Sequence, residues 1–200
     1  MMKNLITLIF SLFVSFQSLA EFKPDFNEGL AAYQSGDYET ALLHWVTLAN
    51  EGYADAQYYL GVMYANGEGV LENDKTAVKW YTKAAEQGDA DAQYNLGNKY
   101  NDGKGVPENH KTAVHWWTKA AEQGYANAQF MYAFMIQSGE GGKSDPPKAM
   151  VWALLAEKNG KKDTVAITVP SSMTMTELEI STAERIANEC YQSNYQNCPE

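Results

Sequence analysis

Basic residues, cysteines and histidines are scarce in this 200-residue chain, and each shortage removes a class of function. Fifteen Lys and Arg stand against 25 Asp and Glu, a formal net charge of -10. So negative a balance predicts no basic surface able to neutralise a nucleic-acid backbone or an anionic bilayer. Two cysteines, Cys190 and Cys198, exclude a disulfide-dense miniprotein and a four-cysteine zinc module. Of the three histidines, His110 and His115 are five apart, off the i, i+4 spacing that puts two ligands on one helical face. His44 shares a register with Trp80, Trp116 and Trp152 and is expected to pack inside beside Trp45. No metal or other cofactor is therefore expected. The remaining composition, 45% apolar and 20% charged, is that of a chain that folds.

Catalytic signatures are missing too. Gly142-Lys143-Ser144 has the ending of a phosphate loop, but the opening glycine would stand at position 137, which is Gln137. No serine is followed three residues later by lysine, and no Gly-x-Ser-x-Gly occurs. The acidic residues are scattered, as on a solvated face.

The apolar stretch Leu5 to Phe16 follows one basic residue, Lys3, and precedes Gln17-Ser18-Leu19-Ala20, whose small residues suit a signal-peptidase cut. Twelve residues are too few to cross a bilayer, which takes about 20. Residues 1–20 are thus read as a cleavable signal peptide and 21–200 as one exported domain, periplasmic or secreted. Cleavage leaves 14 basic and 25 acidic residues, and no further run of about 18 apolar residues to hold the product in a membrane.

What the chain has in abundance is repetition. Glu72–Gln93 and Glu108–Gln129 agree at all but five of 22 positions, at an offset of 36. The same offset joins Ala41, Ala77, Ala113 and Ala149, and likewise Gly52, Gly88, Gly124 and Gly160. Within a unit, Ala77, Trp80, Tyr81, Ala84 and Ala85 make a helical apolar stripe that Gly88 ends, helix B. Gln57, Leu60, Gly61 and Tyr64 make a second stripe, helix A, closed by Asn66-Gly67-Glu68-Gly69. The small Gly61 and Gly97 are expected to admit a close helix approach, with Trp80, Trp116 and Trp152 as the bulk opposite. A lone pair of such helices cannot bury its stripe, so the units must stack into an α-solenoid.

Leu60-Gly61, Tyr64, Gly67-x-Gly69-Val70, Asp74, Ala77, Trp80-Tyr81, Lys83-Ala84-Ala85 and Gln87-Gly88 resemble the Sel-1-like repeat, a relative of the tetratricopeptide repeat. The likeness is close over 53–88 and 89–124. It thins over 125–160, where Ala133 replaces the glycine, Ile136 the tyrosine, and Pro146-Pro147 enters the loop. Residues 26–52, with Gly36-Asp37-Tyr38 as a tight turn, are closer to a tetratricopeptide hairpin. The resemblance implies an all-α fold, a right-handed superhelix of antiparallel helix pairs with a capping helix at the C-terminus. That helix is expected over Thr176 to about Ser193, within a cap of 161–200. Between 163 and 169 propensity favours an extended segment, whereas the resemblance implies a short helix ending before Pro170. Cys190 and Cys198, eight apart in an exported protein, are expected to form a structural disulfide.

A second set of residues recurs off the buried stripe of helix A: Asp55, Asp91 and Asn127; Tyr58, Tyr94 and Phe130; Val62, Asn98 and Phe134. The resemblance places this side on the concave groove. Rings mixed with amides and carboxylates suit capture of basic or apolar peptides. The same rings would equally serve as packing between repeats. The sequence is read as a non-catalytic protein- or peptide-binding adaptor of the cell envelope, monomeric, with a polar terminal cap. An envelope enzyme acting on β-lactams or cell-wall fragments is the alternative, carried only by distant family precedent, and an end-to-end stacked oligomer is a third.

Overall fold

A computed structural model describes residues 22–140 and 142–199, so the segment read as a signal peptide lies outside the described residues. The described residues hold ten helices and no strand. They are α1 (Phe26–Ser35), α2 (Tyr38–Asn50), α3 (Ala54–Asn66), α4 (Asp74–Glu86), α5 (Ala90–Asp102), α6 (His110–Ala121), α7 (Ala126–Ser138), α8 (Pro146–Lys158), α9 (Val165–Met173) and α10 (Glu177–Gln192). Consecutive helices pack as pairs and each pair packs on the next, which makes the molecule an α-solenoid. None of the described helices is long and apolar enough to cross a membrane.

The helix starts follow local chemistry. Asp25, Asp37, Asn73, Asp89, Asn109 and Asp145 each accept a backbone N–H two or three residues on, satisfying donors that a helix leaves unpaired. Thr176 and Glu179 form a reciprocal capping box that starts α10.

The small-against-large pairing sits one residue along from where the sequence places it. A Cβ on Gly61 would lie 2.5 Å from the Tyr81 ring, and one on Gly97 would lie 2.5 Å from the Trp117 indole. Trp80 and Trp116 are half-buried instead. The face of helix B turned to helix A is centred on Ala77, Tyr81, Ala84 and Ala85, and one residue rotates a side chain by about 100°, so the preceding tryptophan falls on the flank. In the third unit Ala133 takes the glycine position, the ring position becomes Ala153, and Trp152 carries the bulk; all three are buried. His44 is buried as expected, with Nδ1 accepting the Asp25 N–H at 3.0 Å.

Two devices link one unit to the next. Buried Gln57, Gln93 and Gln129 each donate to a carbonyl near the end of the preceding B helix: Ala49, Ala85 and Ala121, at 2.9, 3.1 and 3.0 Å. Each also accepts, from Gln87, Gln123 and Asn159. A ladder of amides thereby runs along the stack, and Tyr195 closes it by donating to Asn159 at 2.8 Å. The second device is the loop after α3 and after α5. Gly105, at φ 78°, lies where a Cβ would be 2.5 Å from the Asp74 backbone, so the loop rests on the first turn of α4. Lys99 pairs with Asp74 beside it.

The segment after Gly160 is corrected by the structure. Residues 165–173 are helical, neither extended nor ended before Pro170, which lies inside α9. Ile167 and Ser171, one turn apart, are fully buried, and Ser171 donates to Gln137. Proline removes a single backbone donor, and this burial outweighs the loss. Cys190 and Cys198 are joined, with Cα atoms 4.8 Å apart, and the bridge folds the tail back onto α10.

Candidate protein-binding face

The residues outside the buried stripe of the A helices begin with helix position. In α3, Ala56, Gln57, Leu60, Gly61 and Met63 are buried, which turns Asp55 outward and leaves Tyr58 and Val62 half-buried at the edge. In α5 and α7 the pattern repeats: Asp91 and Asn127 are exposed, and Tyr94, Asn98 and Phe130 are half-buried. Phe134 is 42% exposed, large for a phenyl ring.

These residues are joined across repeats. The Tyr58 ring meets Tyr59 edge-on at 5.1 Å and lies tilted against Tyr81 at 6.1 Å, and its hydroxyl faces Asn95 of the next A helix. Burial pushes the Tyr58 hydroxyl up to about 12, and the Asp91 carboxylate adds to the rise. The hydroxyl of Tyr125, just ahead of α7, faces the Asp91 carboxylate, and its ring meets Tyr94 at 5.2 Å. Burial first, then the Asp91 carboxylate, raises the Tyr125 hydroxyl. Asn98 is committed inward, accepting the Trp117 indole N–H at 3.1 Å. The Lys161 ammonium sits 5.0 Å from the Phe130 ring and closes the row at the C-terminal side.

The row is therefore both seam and surface. Tyr58 and Tyr94 meet side chains at the start of the next repeat, whereas Asn98 binds α6 of its own repeat. Asp55, Asp91, Asn127 and Phe134 show polar atoms or ring faces to solvent. Sequence reasoning missed Tyr59, Asp89 and Tyr125, although 89 and 125 are themselves 36 apart. Asp89 caps α5, accepting the Ala92 N–H at 2.7 Å, while its burial and the nearby Asp91 and Asp55 charges raise its carboxyl. A negative, ring-lined strip results. Among the described residues no group of three His, Cys, Asp or Glu is placed to hold a metal ion. Gly142-Lys143-Ser144 lies in the loop between α7 and α8, away from any strand.

Three consecutive matches to the Sel1 repeat model cover residues 54–89, 90–125 and 126–161, more than half of the chain. The chain belongs to the Sel1 repeat family. A Sel1 repeat protein from Oxalobacter formigenes superposes with a TM-score of 0.66 at 28% identity, covering 88% of this chain and 79% of that one. A protective antigen present in uropathogenic Escherichia coli strains, described as displaying an SLR fold, gives 0.52 at 29% identity over 85% of this chain and 45% of its own. An exopolysaccharide production negative regulator of Rhizobium meliloti (strain 1021) is 38% identical over 58 residues, 29% of this chain and 22% of the regulator. Sel1 repeats generally mediate protein–protein interaction and are typically non-catalytic scaffolds.

Proposed function

We propose that this Sel1 repeat chain is a non-catalytic scaffold of the bacterial cell envelope that holds a protein or peptide along the outward side of α3, α5 and α7. The observation that carries the reading is the continuity of the strip. Tyr58 faces Asn95, Tyr125 faces Asp91 and its ring meets Tyr94, so three A helices offer one continuous surface. A surface ordered before binding loses little entropy on engagement. Its exposed Asp55 and Asp91 favour a segment with Lys or Arg, and Phe134 favours an apolar side chain beside it. The N-terminal leader read from the sequence supports export. The absence of a nucleophile motif favours binding over chemistry.

The test is site-specific photocrosslinking in the source bacterium with a crosslinker at position 55 or 127, and at position 79 on another face. We expect one dominant adduct from 55 and 127, lost when Asp55→Lys is combined with Phe134→Ala. Adducts of equal yield and identity from position 79 would refute the strip as the docking surface.

A further inference from the structure

The negative net charge hides a segregated surface. On α4, Lys75, Lys79 and Lys83 stand at i, i+4 and i+8 and all are exposed. On α6, 36 residues later, Lys111, His115 and Lys119 occupy the same three places, also exposed. Thus five of the 14 basic residues beyond the leader share one face of two neighbouring B helices. Among the described residues, no carboxylate lies within 4.0 Å of any of these five ammonium groups; Asp74 of α4 pairs with Lys99, and Glu108, ahead of α6, pairs with His110. Each row has an indole at its flank. Trp80 is half-buried with the Lys83 ammonium 4.1 Å from its centroid, and Trp116 is half-buried with the His115 ring at 5.2 Å. At the first row a cleft of about 560 Å³, lined by Tyr64, Thr76, Lys79, Trp80 and Lys83 among others, opens to solvent.

We infer that this face of α4 and α6 binds a linear, carboxylated polysaccharide, its carboxylates on the lysine rows and its sugar rings against Trp80 and Trp116. Three features select this occupant. Charge complementarity requires an anion. The subsite recurs at the 36-residue offset, Lys-Lys-Trp-Lys and then Lys-His-Trp-Lys, which matches a ligand whose own charges recur at a fixed interval. Cations one helical turn apart, about 6 Å, are separated by roughly the length of one sugar unit. The backbone here is helical and its hydrogen bonds are internal, so an extended peptide would find no strand to pair with. The six row positions carry no apolar side chain to enter a bilayer.

The experiment is titration of the purified chain with polygalacturonate, with dextran, poly-L-glutamate and phosphatidylglycerol vesicles as comparison arms, at about 50 and about 200 mM salt. We expect polygalacturonate to bind and to weaken as salt rises, with no binding to dextran. Combined Lys79→Gln, Lys83→Gln, Lys111→Gln and Lys119→Gln should weaken it at least about tenfold. The Arg versions at the same four positions should retain it. Lys23→Gln, Lys104→Gln, Lys143→Gln and Lys162→Gln, an equal charge change elsewhere, should cost less than about threefold, and Asp55→Lys should not weaken it. No binding at low salt, an equal loss in the control variant, poly-L-glutamate binding as tightly, or vesicles binding in place of the polymer would each overturn the inference. The Asp55→Lys arm keeps this outcome separate from that of the A-helix strip.

Discussion

Gly97 shows how much one residue decides. Its missing Cβ leaves room for the Trp117 indole, which is fully buried and donates to Tyr94 and Asn98 at 3.2 and 3.1 Å. Gly97→Ala forces the indole to shift or the helices to part, and should cost about 1 to 3 kcal/mol in urea unfolding. An unchanged midpoint would mean that the approach is looser than the geometry shows. Asp89 gives a prediction with a sign that depends on pH. Its folded-state carboxyl is raised, chiefly by burial, so over the window above its unfolded value the native state holds the extra proton and stability falls as pH rises. Asn caps a helix as well as Asp does and carries no charge. Asp89→Asn should therefore unfold at a higher temperature than the parent at neutral pH, with the gap closing as pH drops through the carboxylate range. A gap that widens in acid would contradict this.

Among whole elements, the amide ladder explains why helices of similar sequence stack in one register. Gln93 is buried, donates to Ala85 and accepts from Gln123, so it joins the preceding B helix to the end of its own repeat. Gln93→Leu preserves volume but leaves the Ala85 carbonyl without its side-chain donor at a buried helix end. A loss of about 1 to 3 kcal/mol is expected by chemical denaturation, against a smaller loss for Gln123→Ala on the exposed side. The sequence places Gln57 on the inner stripe of helix A, yet periodicity counts it as another buried position and cannot show its partner. Helix α9 makes the same point from the opposite direction. Pro170 and a Val- and Thr-rich composition argue locally against a helix there, and burial of Ile167 and Ser171 decides in its favour.

Over the whole molecule, stability is a sum of neighbouring interfaces, so the ends should loosen before the middle. The last interface is secured by α9, α10 and the Cys190–Cys198 bridge, which holds Tyr195 against Asn159. Closing so short a loop contributes roughly 2 to 3 kcal/mol by chain entropy. Cys190→Ala with Cys198→Ala should thus raise hydrogen exchange across α10 and the tail while amides of α3 to α6 keep their protection. Uniform loss of protection throughout would show a single cooperative block instead of a stack. Charge is also organised at this scale: carboxylates gather on the outward A-helix strip and lysines on the faces of α4 and α6, a division that net charge alone conceals.

The 36-residue period determined by itself that the chain is an α-solenoid, because an apolar stripe repeated at that interval can be buried only by its copies. It also marked most of the A-helix strip, since Asp55, Tyr58 and their counterparts stand at fixed offsets. Only the tertiary structure decided which ring meets each glycine, that the glutamines bond across repeats, and that α9 runs through its proline. Each of those outcomes turns on the rotation of a helix about its axis or on a partner far along the chain, and neither quantity is a property of local sequence.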